Sequence, residues 1–401
     1  MSGFGPEGGV GGVGGVGGVG GVGGVGGVGG VGGVGGVGGV GGVGGVGGVG
    51  GVGGVGGVGP GGSGTPLVSG ALIGHRDAIV GDWVAVAGQA NYKELPVEGQ
   101  AGSDKNARRW APWVRAAVID FDLQSRLWFD MNGAEARLHY VAKGSGGRTA
   151  LATIKRPGKG NFEQQLELVA AYADLREDRA GEILAQMTPA AAFWASVLPL
   201  QPDRSRNTFE VVDCVLRLAN YVEMRFKHAL ACLRPHELSP QIQPMIQTPG
   251  HGSYPSGHAT ESFAVAYVLS SLVPPQTTAG MQCAQLARQA ARIAVNRTVA
   301  GLHFPVDSAA GAFLGLLVGQ FFVACCTSTG TLTVMGRAFD GTAFAPAGDF
   351  DYTYLYDATK GPANAPFPNT GGYVTNLANV AVDGPSEALK WLWTEAGNEW
   401  S

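Results

Sequence analysis

The chain has 401 residues, a formal net charge of −4, 45% hydrophobic residues and only 14% charged ones. Such a composition can bury a sizeable core in one large domain or two modest ones. With no Lys/Arg block along the chain, a surface that tracks nucleic acid is excluded. The five cysteines (Cys214, Cys232, Cys283, Cys325 and Cys326) are odd in number and form no Cys-x-x-Cys pair, which points to reduced thiols packed as small hydrophobes. The start, MSGFGPEGG, lacks the basic stretch and apolar core of a secretory signal, so a cytoplasmic location is expected.

Residues 1–65 form the first region. Gly8–Val58 repeats Gly-Gly-Val without interruption, and 59–65 continues as a Gly-rich linker. Collagen shares the period of three but needs proline and a single glycine per repeat. Valine alone buries little area and glycine costs the most backbone entropy to order, so the tract is expected to be a disordered or weakly self-associating tail. An assembly or adhesion segment is the alternative. Residues 66–160 are mixed: apolar runs such as Ala78–Ala87 and Trp113–Asp122 alternate with Gly, Asn and Asp, which predicts loops with short elements.

Helical spacing of apolar residues begins in 161–328. Helices are predicted over Phe162–Leu175, Asp178–Met187, Pro189–Leu198 and Asn207–Cys232. Three more are predicted over Ser256–Leu272, Met281–Val299 and Pro305–Cys326. The last approaches the length of a membrane span. A buried central helix of a bundle is preferred, because the neighbouring helices place Asp213, Arg217, Glu223 and Arg225, or Arg288 and Arg292, on outer faces. The expected fold class is therefore mainly α, with no membrane span. Residues 329–401, rich in Gly, Thr, Pro and Asn, are expected to be irregular with short strands, packing on the helical domain and ending in a short helix over Pro385–Ala396.

Polar residues concentrate in three clusters. The first is Lys227-x6-Arg234-Pro235; a continuous helix would put both cations on one face, an arrangement that makes sense around an anion. The second is Tyr254-Pro-Ser-Gly-His-Ala-Thr260, where Ser256 is a candidate N-cap, the helix start favours an anion, and His258 stands at that mouth. His251 is either a second site histidine or, as preferred here, a histidine of the Gly-rich loop Pro249–Ser253. Glu261 either tunes His258 or is a first-turn acid favoured by the helix dipole. The third cluster is Asn296-Arg297-x5-His303-x3-Asp307. Asp307 can fix the His303 tautomer and leave its other nitrogen free as nucleophile or ligand. A His-x-x-x-Asp pair can also hold a metal, but three nearby cations favour a bound anion.

In this order the clusters resemble the type 2 phosphatidic acid phosphatase superfamily, which includes bacterial acid phosphatases and vanadium-dependent haloperoxidases; the resemblance covers about Asn207 to Gly319. It implies a helical bundle with the site in its core. It also implies that Lys227, Arg234 and Arg297 clamp an oxyanion, with Ser256 and Gly257 as further donors. His258 would be the general acid/base, His303 the nucleophile or vanadate ligand, and Asp307 its orienting partner. Asn296 departs from the serine usual in the phosphatases. The favoured expectation is a phosphoester hydrolase with a phosphohistidine intermediate and no cofactor. The alternatives are a vanadate-dependent haloperoxidase using halide and hydrogen peroxide, or a non-catalytic phosphate-binding scaffold. Expected partners are a small-molecule phosphoester, or halide and peroxide, with no nucleic acid and with homo-oligomerisation left open.

Overall fold

A computed structural model of the chain describes residues 104–401, except 145, 189–190, 275–278, 328–331, 363–366 and 369–370, together with the isolated positions 72, 75 and 79. The Gly-Gly-Val tract, the linker and the Ala78–Ala87 run lie outside the described residues. The unit Gly102–Ser401 is mainly helical and carries one five-stranded sheet.

After a 3-10 turn at Asp104–Arg109 come α1 (Pro112–Ser125), β1 (Leu127–Asn132), β2 (Glu135–Val141) and β3 (Arg148–Lys155). β1 and β2 form a hairpin closed by Gly133 at φ +62°, a left-handed position that glycine takes at little cost. β2 alternates strictly: Ala136, Leu138 and Tyr140 are buried, whereas Glu135, Arg137 and His139 face outward. The helices α2 (Lys159–Tyr172), α3 (Arg176–Ala185), α4 (Ala191–Ala195) and α5 (Arg206–Leu230) follow, then the single turn α6 (Pro235–Leu238). α7 (Gly257–Leu272), α8 (Ala279–Val299) and α9 (Pro305–Thr327) complete the helical body. The chain then returns to the sheet with β4 (Leu332–Asp340) and β5 (Val374–Val382) and ends in α10 (Glu387–Asn398).

Residues 329–401 are thus more regular than expected, since they contribute two nine-residue strands. The sheet order is β1-β2-β3-β4-β5, antiparallel throughout except for β3 and β4, which run parallel. Strands from both sides of the helical body therefore share one sheet.

α7 is the middle of the helical body and packs on α5, α8 and α9. Of its residues only Ser271 is less than fully buried. α9 is long and apolar enough to cross a membrane, yet all of it except Gln320, Val323 and Thr327 is buried within the protein. A helix apolar on every side can be the centre of a water-facing body. α5 is amphipathic and its first turn is held by the chain end. Glu399 accepts from the backbone N–H groups of Asn207 (2.7 Å) and Thr208 (2.8 Å), and the Trp400 indole donates to Thr208 Oγ1 (2.9 Å). A carboxylate there satisfies exposed helix donors and complements the dipole. All five cysteines are buried free thiols.

The α7–α9 contact depends on three glycines one turn apart. A Cβ at Gly311 would sit 2.5 Å from the Ser256 carbonyl, one at Gly315 would overlap the Thr260 carbonyl, and one at Gly319 would sit 2.9 Å from Tyr267 Cβ. Gly315→Ala is expected to force the helices apart and lower unfolding free energy by about 1–3 kcal/mol, the usual cost of overpacking. Urea denaturation measures this; a midpoint equal to that of the unsubstituted protein would refute the close-contact account.

Candidate functional site

Lys227 lies in the last turn of α5 and its side chain is buried. Its ammonium donates to the carbonyls of Gly252 (3.3 Å) and Ser253 (3.4 Å). α5 stops three residues later, where Ala231 takes a left-handed conformation at φ 46°. Arg234 is therefore not on this helix, contrary to the expectation of one shared helical face. It has extended backbone and precedes Pro235, the first residue of α6, because proline disfavours helical geometry in the residue before it. Both cations still reach one loop, Lys227 through the carbonyls of Gly252 and Ser253 and Arg234 through that of His251.

Arg234 is buried and spread over several acceptors. Its Nε donates to the His251 carbonyl (3.0 Å) and one terminal nitrogen to the Leu302 carbonyl (3.1 Å). That same terminal nitrogen lies 3.4 Å from His303 Nε2, and the other lies 3.2 Å from His251 Nδ1. His251 is thus a neighbour of the arginine rather than a bystander in its loop.

His303 follows α8 in a turn that Gly301 permits with φ +82°. Asp307, in the first turn of α9, accepts from His303 Nδ1 (3.0 Å) and from the Phe304 backbone N–H (3.0 Å) with the same oxygen. A carboxylate only accepts, so Nδ1 carries the hydrogen and Nε2 presents its lone pair toward Arg234. Both residues are fully buried. Phe162 of α2 packs against Phe304 in a tilted arrangement at 4.9 Å between ring centroids and meets Tyr254 at 6.3 Å, while Gln165 accepts from the Val306 N–H at 3.1 Å. These contacts brace the turn from outside.

Ser256 caps α7 by accepting from the Ala259 N–H, and its own N–H donates to the Asp307 carbonyl at 2.9 Å. That bond joins the second and third clusters directly. A Cβ on Gly257 would come within 2.5 Å of a Glu223 carboxylate oxygen, so the glycine makes room for that acid. Glu223 is fully buried one turn before Lys227, not on an outer face as expected. The spacing of four from Lys227 signals the shared face.

His258 and Glu261 are both buried in the first turns of α7. His258 Nε2 lies 2.7 Å from the Gln186 carbonyl, which can only accept, so Nε2 carries hydrogen. Gln186, just after α3, was not anticipated from sequence. Its side-chain oxygen accepts from Asn296 (2.9 Å) and from Arg297 (3.3 Å), and Arg297 also donates to the Ile183 carbonyl at 3.2 Å. Asn296 is fully buried; it further donates to Glu182 (2.9 Å) and accepts from Arg179 (2.7 Å). Burial alone would raise the Glu182 pKa, but hydrogen bonds from Arg292, Asn296 and Gln186 outweigh it and hold the carboxyl below its ordinary value. Arg176 ties the end of α8 by donating to the Val299 carbonyl at 2.8 Å. No spacing or motif marks Gln186, Glu182, Arg179 or Arg176.

Lys227, Arg234, Ser256, Gly257, His258, Arg297, His303 and Asp307 are all buried, on elements that pack together around α7. Cations joined to a histidine lone pair suit an oxyanion with an electrophilic centre. Residues 214–329 match the family model of the PAP2 superfamily. This segment is a PAP2 superfamily domain. The superfamily's members are generally phosphatases or haloperoxidases, and this PAP2 segment carries all three clusters. No curated protein matches the chain.

Gln186 links α3 to both Asn296 and Arg297, so Gln186→Ala removes one acceptor from each. Unfolding free energy is expected to drop by about 1–3 kcal/mol, the range for stranded buried donors. Gln186→Glu keeps the acceptors but replaces the amide that donates to Glu182 at 3.2 Å with a second carboxylate, so it should be destabilising as well. Equal stability of Gln186→Ala and the unsubstituted protein in urea would discard this network.

Proposed function

We propose that this PAP2 protein is a phosphoester hydrolase working through a phosphohistidine on His303, in a helical bundle of the acid phosphatase and vanadium haloperoxidase type. The observation that carries the reading is the His303–Asp307 pair, which keeps hydrogen on Nδ1 and turns the Nε2 lone pair toward Arg234. A nucleophile so oriented needs no base to free its lone pair.

In the first step, His303 Nε2 attacks phosphorus, the N–P bond forms and the bond to the leaving oxygen breaks. Lys227, Arg234 and Arg297 offset the charge gathering on the phosphoryl oxygens, with Ser256 and Gly257 alongside. His258 supplies a proton to the leaving oxygen. In the second step, His258 takes a proton from water, which attacks phosphorus, releases inorganic phosphate and restores His303. This chemistry requires no cofactor.

A second reading rests on His251, whose Nδ1 lies against Arg234 as a further histidine beside the anion position. The same donor set fits vanadate. His303 Nε2 would ligate it and the three cations would bind its oxygens. When bound, vanadate would supply halide oxidation by hydrogen peroxide.

The test uses the full chain and His303→Ala. With a chromogenic phosphomonoester, phosphate release that orthovanadate inhibits, and that His303→Ala lowers about a thousandfold or more, is the expected result. A rapid quench in alkali should trap phosphate on histidine. Dye bromination requiring vanadate, peroxide and bromide, without phosphate release, would replace the hydrolase with the haloperoxidase. Phosphate binding with neither activity would sink both and favour the scaffold.

A further inference from the structure

A cleft of about 40 Å3 opens beside His258. Its walls are Phe193 and Trp194 of α4, Leu216 of α5, Val265 of α7 and Ile293 of α8, with His258, Glu261 and Ser262 at one side and Gln186 and Thr188 completing the lining. Lys227, Arg234, Arg297 and His303 do not line it, and among the described residues no Lys or Arg does. The cleft therefore starts at the proposed acid, with no cation in its lining.

We infer that this cleft receives the leaving alcohol of the substrate and selects phosphomonoesters of aromatic or compact apolar alcohols. The inference rests on the hydrolase reading. In an in-line displacement the leaving oxygen departs opposite the nucleophile. The group that protonates that oxygen marks where the alcohol lies. With His303 as nucleophile and His258 as acid, the organic part extends past His258 into the cleft. The walls there are aliphatic and aromatic, so an apolar group gains by leaving water, whereas a sugar would strand its hydroxyls. A second phosphate on the leaving group meets Glu261 and no cation, which disfavours nucleotides and diphosphates. The enclosed space has room for about three water molecules at roughly 10–15 Å3 each, which suits one ring or a short chain rather than a two-chain lipid.

The test compares benzyl phosphate with glycerol 3-phosphate on the full chain. Their alcohols are similar in acidity, so the ratio of kcat/KM reports recognition. Benzyl phosphate is expected to be favoured on the order of 10- to 100-fold, the worth of burying one aromatic side chain. Leu216→Lys, at a half-buried wall position, should cut that ratio about tenfold. If that variant fails to fold, calorimetric binding of benzylphosphonate against methylphosphonate to the unsubstituted protein decides, with a tenfold or larger gap expected. Hydrolysis of both esters at similar efficiency, or equal phosphonate affinities, overturns the cleft assignment while leaving the hydrolase intact. A Leu216→Lys variant that folds and keeps the full ratio overturns it too. No phosphate release from either ester, or release undiminished in His303→Ala, overturns the hydrolase reading and the inference with it.

Discussion

The site depends on how closely α7 and α9 approach. Gly311, Gly315 and Gly319 present bare backbone to α7 at the places where any side chain would strike a carbonyl or a Cβ. With that separation removed, the Ser256 N–H reaches the Asp307 carbonyl at 2.9 Å. One backbone bond thus locks the turn carrying His258 to the helix start carrying Asp307. Asp307 in turn fixes His303, and the Leu302 carbonyl beside it receives Arg234. The turns carrying His303 and Arg234 are thus anchored to closely spaced helices. Sites built on rigid, close-packed elements hold their groups more accurately than sites on free loops.

That arrangement concentrates ionisable groups where water is scarce. Lys227, Arg234 and Arg297 are buried, as are Glu223 and Asp307. Burying charge is costly unless each group is paired and hydrogen-bonded. The protein answers with carbonyls: those of Gly252 and Ser253 serve Lys227, those of His251 and Leu302 serve Arg234, and that of Ile183 serves Arg297. Carbonyl dipoles stabilise a cation without neutralising it. Glu223 shares this region: its carboxyl group lies against Gly257 at the start of α7.

The helices were legible because apolar residues recur at helical spacing through Phe162–Leu175, Asn207–Cys232 and the three segments after them. The clusters were legible because turn residues, Pro255, Gly257, Gly301 and Pro305, surround the histidines. The sheet was harder to see. β2 does alternate, and Asn132-Gly133 is a strong hairpin signal, but alternation over seven residues is short beside the mixed composition around it. The parallel pairing of β3 with β4 joins segments separated by the whole helical body, which no local pattern reports. Arg234 was misplaced because a seven-residue spacing was read as two turns of one helix, although Pro235 already disfavours helix at Arg234. Gln186 left no trace, since its role comes from where α3 happens to end.

This last point bears on what constitutes the functional unit. The PAP2 match begins at 214, yet several groups that hold the site lie before it. Gln186 meets His258, Asn296 and Arg297; Arg176 secures the end of α8; Phe162 and Gln165 brace the turn after His303. The Tyr254 hydroxyl, kept in its neutral form by burial that raises its pKa, donates to the Lys155 carbonyl at the end of β3. β3 pairs with β4, so the segment after the match also takes part. The groups proposed for the chemistry and several of the groups that hold them therefore come from different stretches of chain. A motif can identify the first kind, because chemistry restricts residue type and spacing. The second kind is restricted only by reach, since any carbonyl or amide at the right point in space would serve, and so it is visible only once the chain is folded.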